Sequence, residues 1–373
     1  MGWVYQALLV AVLAGVAYVA LGNLRDNLLV RGLHLGFDFL RQEAGFEVSF
    51  SAIPYTASDN YWRVFLVGIA NTLLVTVIAI VFSTILGFAI GIARLSSNWA
   101  VSKAALIYIE IVRNLPQLLH LLIWYNVALR ALPAPRAAIG LGDTVFLSNR
   151  GIFFPSLTSN HPGVLALSVL FAFIAALVVF RGLSGYADRS GRSVNAWLPS
   201  LLTLVLLPVL AVMLTGTDVT VSVPEMKGFN FVGGWAFVPE LTALVFAMSI
   251  YNAAFIGELV RASIESVNRG QREAASAIGF NWAQTLRLIV IPQAVRVLLP
   301  PLSNQYLNLL KGSSLAVAIG YPDLVGVFTG ISINQTGRAI EIVLMTMAVY
   351  LLIGMLIGAC INLFNRMTRI VER

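Results

Sequence analysis

The stretch Gln271–Ala294, QREAASAIGFNWAQTLRLIVIPQA, carries three charged side chains, Arg272, Glu273 and Arg287, and a glycine near its middle. It sits in a chain that is otherwise mostly apolar. Glu273 falls in the first turn of a predicted helix, where a carboxylate suits the positive end of the helix dipole. Ala274, Ala275 and Ala277 follow and leave a nearly bare helical surface. Gly279 can end that helix in a left-handed cap. Asn281 can cap a second short helix from Trp282 to Leu288, and Pro292 is expected to stop it. The segment reads as two short helices hinged at a glycine. Two placements suit such an object: a groove in another protein, where small residues let backbones approach, or the membrane surface, as an interfacial amphipathic helix.

Beyond this stretch, the solvent of the chain is a bilayer. Of 373 residues, 58% are hydrophobic and 11% charged, against roughly 25% charged in soluble domains. The net charge of +7 reads as loop charge on a membrane protein, and not as a nucleic-acid surface. Cys360 is the only cysteine, so no intrachain disulfide can form. His34, His120 and His161 are far apart and no HExxH occurs, which argues against zinc. No Gly-Lys dipeptide occurs, so the phosphate-cradling GxxxxGK[ST] loop is absent.

A span needs about 20 apolar residues to cross the hydrocarbon. Eight candidates are predicted, near 3–22, 64–93, 104–132, 163–180, 196–215, 240–257, 297–320 and 340–362. The first is expected to be an uncleaved anchor, although Ala20-Leu21-Gly22 resembles a signal-peptidase site. Lysine and arginine favour cytoplasmic loops. With both termini inside, the inner loops hold Arg94 and Lys103, then Arg181, Arg189 and Arg192. They also hold Arg261, Arg269, Arg272, Arg287 and Arg296, and finally Arg366, Arg369 and Arg373. The outer loop 23–63 mixes Arg25, Arg31, Arg41 and Arg63 with five acids. The quoted stretch therefore faces the cytoplasm. Residues 133–162 and 216–239, rich in Pro, Gly and polar side chains, read as external loops with short strands. The two spans between them are almost free of polar residues and look peripheral. Small-xxx-small pairs at Gly87/Gly91 and Gly354/Gly358 permit close helix contact.

Glu273-Ala274-Ala275, three residues, Gly279, nine residues, Ile289, one residue and Ile291-Pro292 resembles the EAA loop of ABC-importer permeases (EAA-x3-G-x9-I-x-LP), with Ile291 in place of leucine. YNAAFIGELVRASIESVNRGQREAA, YIEIVRNLPQLLHLLIWYN and NLLKGSSLAVAIGYPDL resemble the polar amino acid branch of that family. The resemblance implies an all-α integral membrane fold of about eight transmembrane helices. These would include the five-helix core of type I importers, supplied by 64–132 and 240–373. Residues 1–63 would form an anchor helix and a periplasmic segment. Residues 133–239 depart from the short members and resemble the longer subunits of general L-amino acid uptake systems.

The resemblance further implies that Glu273, Ala274, Ala275, Gly279 and Pro292 belong to a coupling helix seated on a dimer of separate ATP-binding subunits. The chain itself would hold no cofactor; ATP and magnesium would be bound by that partner. A second, related permease would complete a pseudo-symmetric heterodimer in the inner membrane, and a periplasmic amino acid-binding protein would deliver substrate. The expected function is that of a transport subunit without catalytic residues.

Charges within spans need a reason, costing roughly 2.5–3.5 kcal/mol each on insertion scales. Glu110 and Arg113 are three residues apart and share a helical face. They lie about 9–14 Å into a span that begins near Ala104. Pro116 is expected to kink that span. Lys311 is expected near mid-span, beside Gly312, Ser313 and Ser314. One reading has this set bind a zwitterion: Arg113 or Lys311 would meet the carboxylate, and Glu110, Asn114 or the serines the amine, with Gln117 adding a further amide to the pathway. The other has Glu110 and Arg113 as a structural pair and Lys311 as an interface residue. Asn71, Thr72 and Asn252 read as bonds to neighbouring helices. Glu258 and Arg261 read as braces for the loop. The same buried charges would also permit an ion-coupled secondary transporter, which the full EAA spacing opposes.

Overall fold

A computed structural model describes residues 2–30, 36–190 and 194–367. Arg31, His34, Arg192, Arg369 and Arg373 lie outside the described residues, as do the side chains of Arg25, Arg189 and Arg366. The helices are α1 (Gly2–Val30), α2 (Tyr61–Arg94), α3 (Trp99–Asn114), α4 (Gln117–Arg130), α5 (Pro162–Ser190), α6 (Trp197–Thr215), α7 (Pro239–Glu265), α8 (Arg269–Ala277), α9 (Trp282–Thr285), α10 (Ile291–Gly312), α11 (Ile333–Thr336) and α12 (Ala339–Met367). Seven helical segments among the described residues are long and apolar enough to cross a membrane, or up to eight if the bent pair α3–α4 counts as one span. The chain divides into two compact units, Met1–Trp124 with Leu244–Arg373, and Tyr125–Ala243. The boundaries read from composition, 133 and 239, fall a few residues inside the second unit.

In lipid, helices gain little from burying apolar surface against one another, so close packing and hydrogen bonds must hold them. The first unit uses both. A Cβ on Gly91 of α2 would come within 2.7 Å of the Gly257 carbonyl and Val260 of α7, and one on Gly87 would overlap Ile256. These two glycines allow α2 and α7 to touch along their backbones. The second pair differs from expectation: Gly354 approaches only Leu307, and Gly358 has nothing within 4 Å. Buried amides then pin elements distant in sequence. Asn71 accepts from the Ala52 amide and donates to the carbonyls of Phe50 and Pro322. Thr72 Oγ1 accepts from Leu324 N. Gln305 donates to Asn252 Oδ1 at 2.6 Å. All three sequence candidates are thus engaged with neighbouring elements.

At the N-terminal end of α2, the segment from Gly36 to Asn60 folds back as a cap. Phe39 and Ala44 pack into one buried cluster with Tyr61, Phe65, Leu324, Phe328 and Ile342. The Gly36 amide donates to the buried Glu341 carboxylate at 2.9 Å.

The third predicted span is not one helix. It breaks between Asn114 and Gln117, and α3 and α4 meet at 105°. Pro116 lacks the N–H that would continue α3 and disfavours helical backbone at Leu115. Leu115 adopts ψ of 141°. His120 steadies the corner, its Nε2 lying 3.3 Å from the Val112 carbonyl. From there α4 runs back along α7. His120 meets Tyr251 edge-on, Trp124 meets Phe246, and Tyr125 Oη donates to Glu240 in the first turn of α7.

The second unit holds the predicted strands. β1 (Ile139–Leu141), β2 (Val145–Ser148), β3 (Gly151–Phe154) and β8 (Trp235–Phe237) form one antiparallel sheet, with Ile152 opposite Phe237. β4 (Ser156–Ser159) pairs with β5 (Val219–Ser222), and β6 (Glu225–Lys227) with β7 (Asn230–Val232). Thr158 stands opposite Thr220. Residues before α5 and after α6 are thus hydrogen-bonded to each other, so α5 and α6 leave from and return to the same side. This agrees with reading 133–162 and 216–239 as loops on one face. Gly151, at φ +118°, has no room for a side chain: a Cβ would sit 1.9 Å from the Phe237 carbonyl oxygen.

Candidate functional site

Residues 266–292 form an elbow between α7 and α10. Asn268 caps α8 through a hydrogen bond from Gly270 N. The helix ends at Gly279, whose φ is +86°. Gly279 N donates to Ser276 O and Phe280 N to Ala275 O, both at 3.0 Å, which is a Schellman closure. Asn281 and Gln284 then form a reciprocal capping box on α9. Each of these devices is legible locally.

Two features are not. Pro292 does not stop the second helix. The chain continues from α9 through a π-helical turn, Leu286–Val290, into α10, with Pro292 in its first turn. The ring of Pro292 would crowd the carbonyl four residues back, and the wider π turn gives it room. Nor is the alanine face bare. Ala274 is exposed, but Ala275 is 1% exposed and lies inside the elbow. Beside it, Val267, Val290 and Ala294 form a small core with Ile264 and Leu286. Arg272 donates to the Ile264 carbonyl at 2.9 Å, which ties α8 to the end of α7. Glu273 is exposed.

The elbow's outer surface carries large apolar side chains instead. Ile278 is 70% exposed and Trp282 77%, on either side of Gly279. Motif spacing passes over both. The signal in the sequence is a tryptophan on a four-residue helix too short to have a buried face of its own. Below the elbow, Arg261 holds Glu258 through Nε at 3.0 Å and also binds Glu265, as expected of a brace.

The intramembrane candidates separate into two groups. Glu110, Arg113 and Asn114 are all exposed on α3. The predicted Glu110–Arg113 pair does not form. Arg113 lies over the Phe255 ring at 5.2 Å, and Glu110 receives the Asn114 amide at 3.4 Å. A cation over an aromatic face is itself favourable, so Phe255 takes the place of the acid. Their depth also changes, because α3 begins at Trp99 and ends at the break.

Gln117, just past the break, packs against Gly312, where a Cβ would fall 2.8 Å from its Nε2. That brings Gln117 beside Lys311, Ser313 and Ser314. Lys311 is not mid-helix: it occupies the last turn of α10, before a 3-10 stretch from Ser313 to Ile319. A cation there suits the negative end of the helix dipole. Ser313 is buried and donates to Leu310 O, and Ser314 donates to Lys311 O. Lys311 and Ser314 line a cavity of about 640 Å³ between α10 and α12, with Leu307, Thr346, Met347 and Tyr350 among its walls. The α12 residues give no sequence signal, since each reads as one more lipid-facing side chain.

Residues 182–370 match the family of binding-protein-dependent transport system inner membrane components. The chain belongs to that family. This permease is 46% identical over 373 residues to a putative amino-acid ABC transporter permease (YhdX) of Escherichia coli, covering 100% of this chain and 95% of the relative. It is 41% identical over 371 residues to the general L-amino acid transport system permease AapQ of Rhizobium johnstonii, covering 99% and 92%. It is 36% identical over 393 residues to the glutamate/glutamine/aspartate/asparagine transport system permease BztB of Rhodobacter capsulatus, covering 97% and 92%. The permease's long insertion falls within these alignments, so it is not peculiar to this chain. The family offers no support for the ion-coupled alternative.

Proposed function

We propose that this permease is the membrane subunit of an ATP-driven importer of L-amino acids. The observation that carries the reading is the elbow: a cap-stabilised knob between two spans, with Ile278 and Trp282 held out around Gly279. Exposed aromatic and aliphatic anchors mark a surface that another protein covers. In this reading the cover is one of two ATP-binding subunits, which also hold the ATP and magnesium. The names of the relatives support the substrate class. A second, related permease would complete the heterodimer, and a periplasmic binding protein would deliver substrate. The chain would lie in the inner membrane with both termini cytoplasmic.

Coupling then follows from the connections. Force on α8 passes to α7 through Arg272 and the Ile264 carbonyl, and to α10 through the small core and the unbroken π turn. In this reading the substrate path runs through the α10–α12 cavity with Lys311 and Ser314, and not past Glu110 and Arg113. The test is co-purification with the ATP-binding subunit and amino acid uptake by the assembled complex in liposomes. Failure of the Trp282→Ala variant to weaken that association would remove the elbow from the interface.

A further inference from the structure

The α10–α12 cavity holds one charge. Of the residues that line it, Lys311 is the only ionisable acid or base besides the Tyr350 phenol, and no carboxylate is among them. Lys311 takes part in none of the ion pairs formed among the described residues. Its helix-end position softens that isolation but does not neutralise it. Leu307, Leu310, Met347, Leu351 and Met355 make the walls apolar, and Lys311 itself is exposed, so its ammonium is open to an incoming anion and faces an incoming cation with like charge. The other polar points are hydroxyls. Ser314 Oγ spends its proton on Lys311 O, which leaves its lone pairs as acceptors. Tyr350 Oη is buried without a hydrogen-bond partner. Asp323 is fully buried and does not line the space.

With amino acid import as the underlying function, on which the inference rests, we propose that the cavity is a charge filter. Lys311 receives a substrate carboxylate, so that acidic and neutral amino acids pass and those with cationic side chains are rejected. A neutral zwitterion presents one carboxylate to Lys311, and its ammonium can be met by Ser314 Oγ and water. A substrate with a second carboxylate gains a further anion near the same cation. A lysine or arginine side chain meets apolar walls and a like charge, with no acid to receive it. The apolar walls fit the methylene groups between the charges.

The experiment uses the full complex in liposomes with its binding protein, and compares uptake of radiolabelled glutamate, glutamine and arginine. Lys311→Met should lower glutamate uptake on the order of tenfold, the loss of one charge-assisted contact, with a smaller effect on glutamine. Lys311→Glu should lower glutamate further, and Lys311→Arg should restore it. The glutamate-to-glutamine ratio is the decisive readout, because misfolding lowers both together. An unchanged ratio in Lys311→Met and Lys311→Glu overturns the filter while leaving amino acid import standing. Absence of uptake of all three by the wild-type complex would instead sink the import reading. The carboxylate site could equally seat a phospholipid phosphate, so the assay is repeated in vesicles of neutral lipid only. A Lys311→Met effect that disappears there assigns the lysine to lipid and overturns the filter.

Discussion

The elbow, 266–292, and the turn at 313–326 are both helix-to-helix junctions of one permease, yet they are built in opposite ways. In the elbow, caps and turns are satisfied by residues three to eight positions away: Asn281 with Gln284, Gly279 with Ser276, Arg272 with Ile264. Large apolar side chains point outward. In the turn at 313–326, further partners come from about 250 positions away, as with Asn71 to Pro322 and Thr72 to Leu324. Tyr321, Asp323 and Leu324 are buried completely or nearly so. In the proposed function the elbow is the junction that another protein grips, and it is self-contained and leaves its surface free. The junction held inside the bundle keeps local bonds such as Gly326 N to Asp323 and adds partners from distant elements. Substitutions should therefore act on association at the elbow and on folding at the turn.

The largest expected effect tests the elbow's geometry. Gly279→Val puts a β-branched residue at φ +86°, where side chains are strained by roughly 1–2 kcal/mol. Its Cβ would meet nothing within 4 Å, so the damage is conformational and local. ATP-driven uptake should fall to background, with membrane insertion near wild-type by immunoblot. Full uptake would show that the left-handed joint is dispensable.

Next comes the turn at 313–326. Asn71→Ala removes three hydrogen bonds from a fully buried amide, which should cost about 2–4 kcal/mol. Thermal unfolding of the purified complex should shift down by several degrees, and wild-type stability would mean that water replaces all three.

Asp323 sharpens the contrast through pH. It lies between the spans ending at Ile319 and starting at Ala339. Burial pushes its carboxyl up to about 7, against the amide of Gly326, which holds it down. Its Oδ2 faces the Tyr350 hydroxyl without reaching hydrogen-bond geometry. An acid with a raised native pKa binds more protons folded than unfolded, so stability is highest below the ordinary carboxylate range. It falls as pH rises to about 7 and changes no further above that. Asp323→Asn keeps the acceptor for Gly326 and offers an N–H toward Tyr350. It should flatten that slope and raise the melting temperature at pH 8. A slope identical to wild-type would place the titrating group elsewhere.

The smallest effect on the fold belongs to Trp282→Ala. With 77% of the side chain exposed, stability should change by no more than about 0.5 kcal/mol. Affinity for the ATP-binding subunit should fall by about 2 kcal/mol, a hot-spot loss, read by surface plasmon resonance. Equal affinity would erase the distinction between the two junctions.

Much of this is legible in the residues alone. The number of spans follows from apolar runs, and the elbow's closures from Gly279 and Asn281, because each acts over one helical turn. Glu273 does not fall in the first turn as its sequence context predicts: α8 starts at Arg269 behind the cap Asn268, so no acid stands in that turn. Errors appear where a side chain has a choice of partner. Glu110 and Arg113 have the spacing of an ion pair, but Arg113 finds Phe255, 142 positions away, and no spacing rule reaches that far. Ala275 reads as surface because an alanine carries no sign of which face it occupies. Hydropathy puts Lys311 mid-span because it does not record that α10 gives way to a 3-10 stretch at Ser313.

Hydrophobicity, glycine at positive φ and helix capping are properties of a residue and its nearest neighbours. The solvent, the approximate spans and the hinged knob are therefore written into the chain directly. The place of the 105° break against α7, the pairing of strands from 133–162 with strands from 216–239 and the isolation of Lys311 in its cavity are not; they came from tertiary packing. Those depend on which distant groups arrive, and packing in lipid selects among partners that the local chain leaves equivalent.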